Sequence, residues 1–158
     1  VRALGQLEKE GLRCTVVVGK SNPHKSSICA AADRAAIPIN LRSNVSDMAA
    51  LMAEHDIAVS AGGSTCWELA FMGIPNVILV LADNQRGIAE GLEEAGTALN
   101  LGWHEKVEKK EITEQIEKLL RNDEKRLRVA RKAQELVDGR GTERVLGKMF
   151  AHKAYVVS

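Results

Sequence analysis

Gly62 and Gly63, followed by Ser64 and Thr65, stand between the apolar run "DIAVS" and the helical pattern "CWELAFMG". Two glycines let a backbone approach a ligand closely and permit unusual turn geometry. Two hydroxyls add donors at the same point, and Glu68 follows in the first helical turn. The loop "LADNQ" brings two amides, Asn84 and Gln85, which can donate to phosphate and also grip sugar hydroxyls. The loop "GKSNPH" brings Gly19 and Asn22. Each loop feeds a helix N-terminus, whose unpaired N–H groups and dipole favour an anion. Together they outline a neutral polar pocket for a diphosphate carrying something hydroxylated.

Other readings compete for several of these residues. Thr65 and Glu68 fit a capping box, with Thr65 as N-cap and Glu68 folded back on its amide. The alternative makes Glu68 a ribose ligand, since a carboxylate accepts from two vicinal hydroxyls. Asn22 before Pro23 serves equally as an N-cap. His24 reads as a surface residue of a first turn. Cys66 lies where a helix dipole could lower a thiol pKa, but reads better as a small buried filler. Trp67 and Phe71, four apart, read as core, and "EKRLRVARK" as a solvated helix face. "AGGST" lacks the lysine and spacing of a P-loop. It also follows the third strand rather than the first, so the dinucleotide fingerprint does not fit.

The elements that must position these groups follow from periodicity. The strands are "CTVVVG", "IPINLR", "DIAVSA", "NVILVL" and the short "ALNLG". Between them lie helical patterns of about ten residues, as in parallel βαβ units. "SNVSDMAALMAEH" takes Ser46 or Asn44 as its cap, and Gly73 reads as a left-handed C-cap with Pro75 beyond it. Ile112, Ile116, Leu119 and Leu120 make an apolar stripe. In the next helix Leu127, Val129 or Ala130, and Leu136 or Val137 form the buried side. The fold class is α/β, a doubly wound parallel sheet of Rossmann-like type, and its ligands belong at the carboxyl ends of the strands. The nucleotide-binding domain is expected over residues 1–138, with a C-terminal helix and tail over 139–158. "VRALGQLEKEGLRC" reads as the middle of a helix without a cap, which suggests a fragment of a longer protein.

Composition narrows the function classes. With 22 basic and 21 acidic residues among 158, the net charge of +1 gives no footprint for nucleic acid. Aromatic residues make up 3% of the chain, too few for a base-stacking surface. Cys14, Cys29 and Cys66 are widely spaced and match no zinc ligand pattern, so no metal is expected and a reducing, cytoplasmic setting is favoured. There is no signal-peptide pattern and no apolar run long enough to span a bilayer.

Taken over residues 15 to 147, the series resembles the C-terminal half of a two-domain sugar-nucleotide enzyme of GT-B architecture. "VVGKSNPH", "LADNQ" and "VDGRGTERV" are most similar to the UDP-sugar hydrolases of pseudaminic acid biosynthesis. Those enzymes are related to the N-acetylglucosaminyltransferase of peptidoglycan synthesis. The resemblance implies that Gly62, Gly63, Ser64 and Thr65 face the pyrophosphate and that Glu68 holds the ribose. It places the uracil near the Val45 backbone and Asn84 and Gln85 at phosphate and sugar, with Gly19 and Asn22 lining the same cleft. It implies hydrolysis of a UDP-linked diacetamido-trideoxy sugar, without a cofactor. The resemblance also implies that this domain's first strand and its glycine-rich loop lie outside this chain, as does the N-terminal domain that carries the family's general base, a histidine. His24 does not match that motif, so the chain alone is expected to be inactive. The alternatives are a glycosyltransferase domain and a non-catalytic UDP-sugar-binding module.

Overall fold

A computed structural model describes residues 1–4, 7 and 11–153. Five strands alternate with helices: β1 Cys14–Val17, α1 Lys25–Ala32, β2 Ile39–Arg42, α2 Met48–Ala53, β3 Ala58–Ala61, α3 Thr65–Met72 and β4 Asn76–Val80. After one 3-10 turn over Asp83–Gln85 come α4 Arg86–Glu94, β5 Ala98–Trp103, α5 Lys109–Leu120, α6 Asp123–Leu136 and α7 Gly141–Lys153. The helix expected at the start of the chain falls largely on residues 5, 6 and 8–10, outside the described ones. Leu4, Leu7 and Leu12 nonetheless pack into one cluster with Val77, Ile116 and Leu119.

All described strand pairing is parallel. β1 pairs with β2 from Cys14 opposite Ile39 to Val17 opposite Arg42. β4 lies between β3 and β5, with Ala58 opposite Asn76 and Asn76 opposite Ala98. The ladder to β5 shifts register after Ile78, so that Val80 faces Trp103. The alternating pattern predicts one sheet, whereas the described hydrogen bonds form two pieces, β1-β2 and β3-β4-β5. Among the described residues β1 and β3 are each paired along one edge.

β4 is the most deeply buried of the five strands. Successive strand residues point to opposite faces, and both Val77 and Ile78 are fully buried. Val77 meets Ile116 and Leu119 of α5. Ile78 and Val80 meet Cys66, Ala89, Leu92 and Ala98 on the other side. A third cluster, Met52, Leu69 and Ile74, joins α2 to α3. Each large apolar side chain buried in this way contributes about 1.5–3 kcal/mol. By contrast, α1 has no buried residue.

Helix ends carry most of the local corrections. Gly73 is the left-handed C-cap of α3, at φ 71°. Its N–H donates to Ala70 O and that of Ile74 to Leu69 O, the paired bonds of a Schellman motif. A Cβ at Gly73 would lie 2.8 Å from Gln134 Nε2, so α6 packs directly on this turn. The cap of α2 is Asp47, whose Oδ1 accepts the Ala50 N–H at 2.9 Å, rather than Ser46 or Asn44. Asn44 instead takes a left-handed conformation, φ 55°, one turn too early to cap. α1 begins at Lys25, and Asn22 Oδ1 accepts the His24 N–H at 2.9 Å, a turn ahead of the helix rather than its cap.

In α6 the buried positions are Val129 and Ala133, while Leu127 and Leu136 are exposed. Arg126 explains the rotation. Its guanidinium donates to Leu119 O and Leu120 O at the end of α5, at 2.6 and 3.2 Å, where a cation meets the negative end of the helix dipole. Trp67 and Phe71 were expected in the core but are 42% and 51% exposed. They share the outward side of α3, whose inward side is filled by Cys66, Leu69 and Ala70. α7 likewise carries exposed Val145, Leu146, Met149 and Phe150.

Candidate functional site

β3 and β4 are neighbouring parallel strands, so their carboxyl ends open on the same rim. The turn 61–65 leaves β3 and the turn 81–85 leaves β4. The two are in contact: a Cβ added at Gly62 would lie 3.0 Å from Gln85 O and 3.1 Å from Gln85 Cβ. Only glycine permits that approach without displacing the second turn. The juxtaposition read from "AGGST" and "LADNQ" is therefore present in the fold.

The first backbone bonds of α3 run from Cys66 N to Gly63 O and from Trp67 N to Ser64 O, both 3.0 Å. The amides of residues 63–65 thus stand ahead of the helical ladder, at the positive end of its dipole. Ser64 occupies the N-cap position with helical angles, φ −58° and ψ −30°, and makes no side-chain capping bond. The helix starts at Thr65, so the capping box with Thr65 as N-cap does not form. Glu68 is exposed in the first turn of α3. Its carboxylate is on the same short helix as the free amides, one turn along.

Across the contact, Gln85 Oε1 accepts the Leu81 N–H at 2.9 Å, which ties the amide side chain into its own turn. Gln85 N donates to Ala82 O at 3.0 Å. Asn84 is exposed beside it. Sequence reasoning did not single out Arg86, the cation next in line. Its Nε donates to Asp83 Oδ1 at 3.0 Å and its guanidinium lies 4.8 Å from the Trp103 ring centroid. Arg86 is thereby held between Asp83 of the 81–85 turn and Trp103 of β5. The signal for this was the spacing Asp83 to Arg86, which allows an i, i+3 pair.

The remaining residues expected at the site occupy the ends of the other sheet piece. Gly19 and Asn22 are exposed in the loop after β1, and Val45 is half-buried in the loop after β2. No described backbone ladder joins that piece to β3, so they are not brought to the 61–65 turn by strand pairing. His24 is exposed in the same loop. Among the described residues no three His, Cys, Asp or Glu side chains converge as a metal site requires, and no helix is long and apolar enough to cross a membrane.

The chain is similar to several known proteins over most of its length. It is 29% identical over 129 residues to the spore coat polysaccharide biosynthesis protein SpsG of Bacillus subtilis, spanning 82% of this chain and 38% of that one. Among solved structures, MurG of Acinetobacter baumannii matches with a TM-score of 0.76 and 24% identity, over 92% of this chain and 43% of that one. The spinosyn rhamnosyltransferase SpnG, solved with thymidine diphosphate, matches with a TM-score of 0.68 and 20% identity, over 87% of this chain and 36% of that one. The chain thus spans about two-fifths of the length of these relatives. The model of the glycosyltransferase family 28 C-terminal domain matches residues 2–144, and the chain belongs to that family.

Proposed function

We propose that this chain is the UDP-binding half of an enzyme that cleaves the bond between a UDP diphosphate and the anomeric carbon of an amino-sugar. The amides of Gly62, Gly63, Ser64 and Thr65 receive one phosphoryl group, and the Asn84–Gln85 turn receives the other. Glu68 accepts from the ribose hydroxyls, and the Val45 backbone lies at the uracil. Gly19 and Asn22 line the outer part of the cleft. The observation that carries this reading is the contact between Gly62 and Gln85, which sets two donor-rich turns side by side on one rim. Preorganised donors of this kind stabilise a leaving diphosphate electrostatically, without reorganising as charge develops.

In this reading the acceptor is water and the products are UDP and a free diacetamido-trideoxy sugar. The general base is supplied by an N-terminal domain of the same polypeptide, and the nucleotide domain's own first strand, upstream of this chain, completes its sheet. The nucleotide domain would comprise residues 1–138, with 139–158 as an appended helix and tail. The setting is cytoplasmic. A second reading, transfer of the sugar to an acceptor, is favoured by the family assignment and by the transferases among the fold neighbours.

Calorimetry on the intact protein tests the binding step. UDP should bind more tightly than UMP, and uridine should bind least. Equal affinity for UDP and uridine would remove the diphosphate from the account. Incubation of the intact protein with a UDP-linked amino-sugar in water alone then separates the two readings, since only the hydrolase releases free sugar without an acceptor. This chain by itself should show no turnover.

A further inference from the structure

Ser60, Cys66 and Asn76 form a polar cluster beneath the 61–65 turn, inside an otherwise apolar layer. Asn76 opens β4 and is 3% exposed. Strand alternation puts it on the same face as Ile78 and Val80, which pack with Cys66. Asn76 Nδ2 donates to Ser60 Oγ at 2.9 Å and to Cys66 Sγ at 3.5 Å. Ser60 Oγ–H and Cys66 Sγ–H both donate to the Ala61 carbonyl, at 3.0 and 3.1 Å. Asn76 Oδ1 is buried and has no hydrogen-bond partner.

An orphaned amide oxygen weakens a fold, because the group has lost water without gaining a donor. An interior strand of a parallel sheet ordinarily carries apolar residues at such positions. Departures from that consistency concentrate where function demands them. Here the bonds converge on the carbonyl of Ala61, the last residue of β3. That carbonyl and the Gly62 N–H belong to one planar peptide unit. Donors that fix the direction of the carbonyl therefore fix the direction of the amide. The residues that follow are two glycines, which on their own leave the turn loose.

We propose that Asn76, Cys66 and Ser60 are positioning residues that orient the Ala61–Gly62 peptide and, through it, the amides of the 62–65 turn toward a diphosphate. Asn76 holds Ser60 and Cys66, and those two hold the carbonyl. None of the three touches the ligand. This rests on the reading of the turn as a diphosphate site.

The test uses Cys66→Ala, Cys66→Ser and Asn76→Leu in the intact protein. UDP affinity, melting temperature and the unliganded amide resonances of Gly62 and Gly63 are measured for each. Cys66→Ala should weaken UDP by roughly three- to tenfold, the size of one lost hydrogen bond, and move both glycine resonances. Cys66→Ser, whose hydroxyl donates to the same carbonyl, should restore both. Asn76→Leu should weaken UDP comparably while the melting temperature holds or rises. The proposal is overturned if Cys66→Ala leaves UDP affinity and the glycine resonances unchanged. It is also overturned if Asn76→Leu loses affinity only in step with its melting temperature. If the unaltered protein does not bind UDP, the diphosphate reading fails, and the glycine resonances still decide whether the cluster orients the turn.

Discussion

The two strand-end rims of this domain are made of similar parts and held in different ways. At the β3–β4 rim one turn grows from β4, which is buried on both faces, and Gly62 on the turn after β3 touches Gln85. At the β1–β2 rim Val17 is 43% exposed, α1 has no buried residue, and neither β1 nor β2 has one. A site that must place donors to within about half an ångström needs rigid elements beneath it. β4 supplies such an element at the first rim. The second rim has no strand buried in this way, so Gly19, Asn22 and Val45 are expected to contribute less.

Stability gives the widest expected contrast. Ile78→Ala should destabilise the protein by about 2–5 kcal/mol, as large-to-small core changes do. Val17→Ala should cost under about 1 kcal/mol. Denaturant midpoints compare the two directly, and equal losses would erase the distinction between the sheet pieces.

Ligand affinity comes next. Glu68→Gln should weaken UDP by about 1.5–3 kcal/mol, the range for hydrogen bonds to a charged group. Because Glu68 is exposed in the first turn of α3, the melting temperature should hardly move. The same variant should discriminate poorly between UDP and its 2′-deoxy analogue. Asn22→Ala, on the other rim, should have the smaller effect on affinity. The reverse order would relocate the ribose.

Within the first rim, the two glycines should behave unequally. Gly62→Val drives side-chain atoms into the Gln85 backbone, and overpacking of that kind costs about 1–3 kcal/mol. At Gly63 a Cβ would meet nothing within 4 Å, so Gly63→Ala should be mild in stability. Equal damage at both positions would mean that the turn tolerates no side chain for a reason other than contact with Gln85.

The smallest effect concerns α7. Arg144 and the Arg140 N–H hold the Asp138 carboxyl down at about 2, from an ordinary 3.8. A depressed carboxylate contributes stability that is present above its unfolded pKa and lost as pH falls through its folded one. Circular dichroism between pH 4 and pH 2 should therefore show α7 loosening slightly, with Asp138→Asn already loosened at pH 7.

The strand and helix order was legible because periodicity follows burial, and β4, apolar throughout, is buried on both faces. Gly73 was legible because a left-handed C-cap has a strong residue preference. Helix starts were less so. Asn44, Ser46 and Asp47 are all good caps by type, and backbone angles alone put Asp47 in place. Thr65 and Glu68 had the spacing of a capping box, but Ser64 entered the helix and displaced the frame by one residue. Trp67 and Phe71 misled because hydrophobicity was equated with burial, while the small residues Cys66 and Ala70 sit against the sheet. The division of the sheet could not be read from local pattern, since pairing joins residues distant in sequence. At the site, the close approach of Gly62 to Gln85 was anticipated as a shared rim. The Asn76 cluster was not anticipated, because nothing in the string "IPNVILVL" reveals a neighbour on another strand.

A crystal structure of the intact protein with UDP tests the central claim most directly. The account predicts the two phosphoryl groups within hydrogen-bond distance of the turns at residues 62–65 and 84–85, with the ribose hydroxyls on Glu68. A diphosphate bound elsewhere, with the Gly62–Gln85 contact unoccupied, would contradict it.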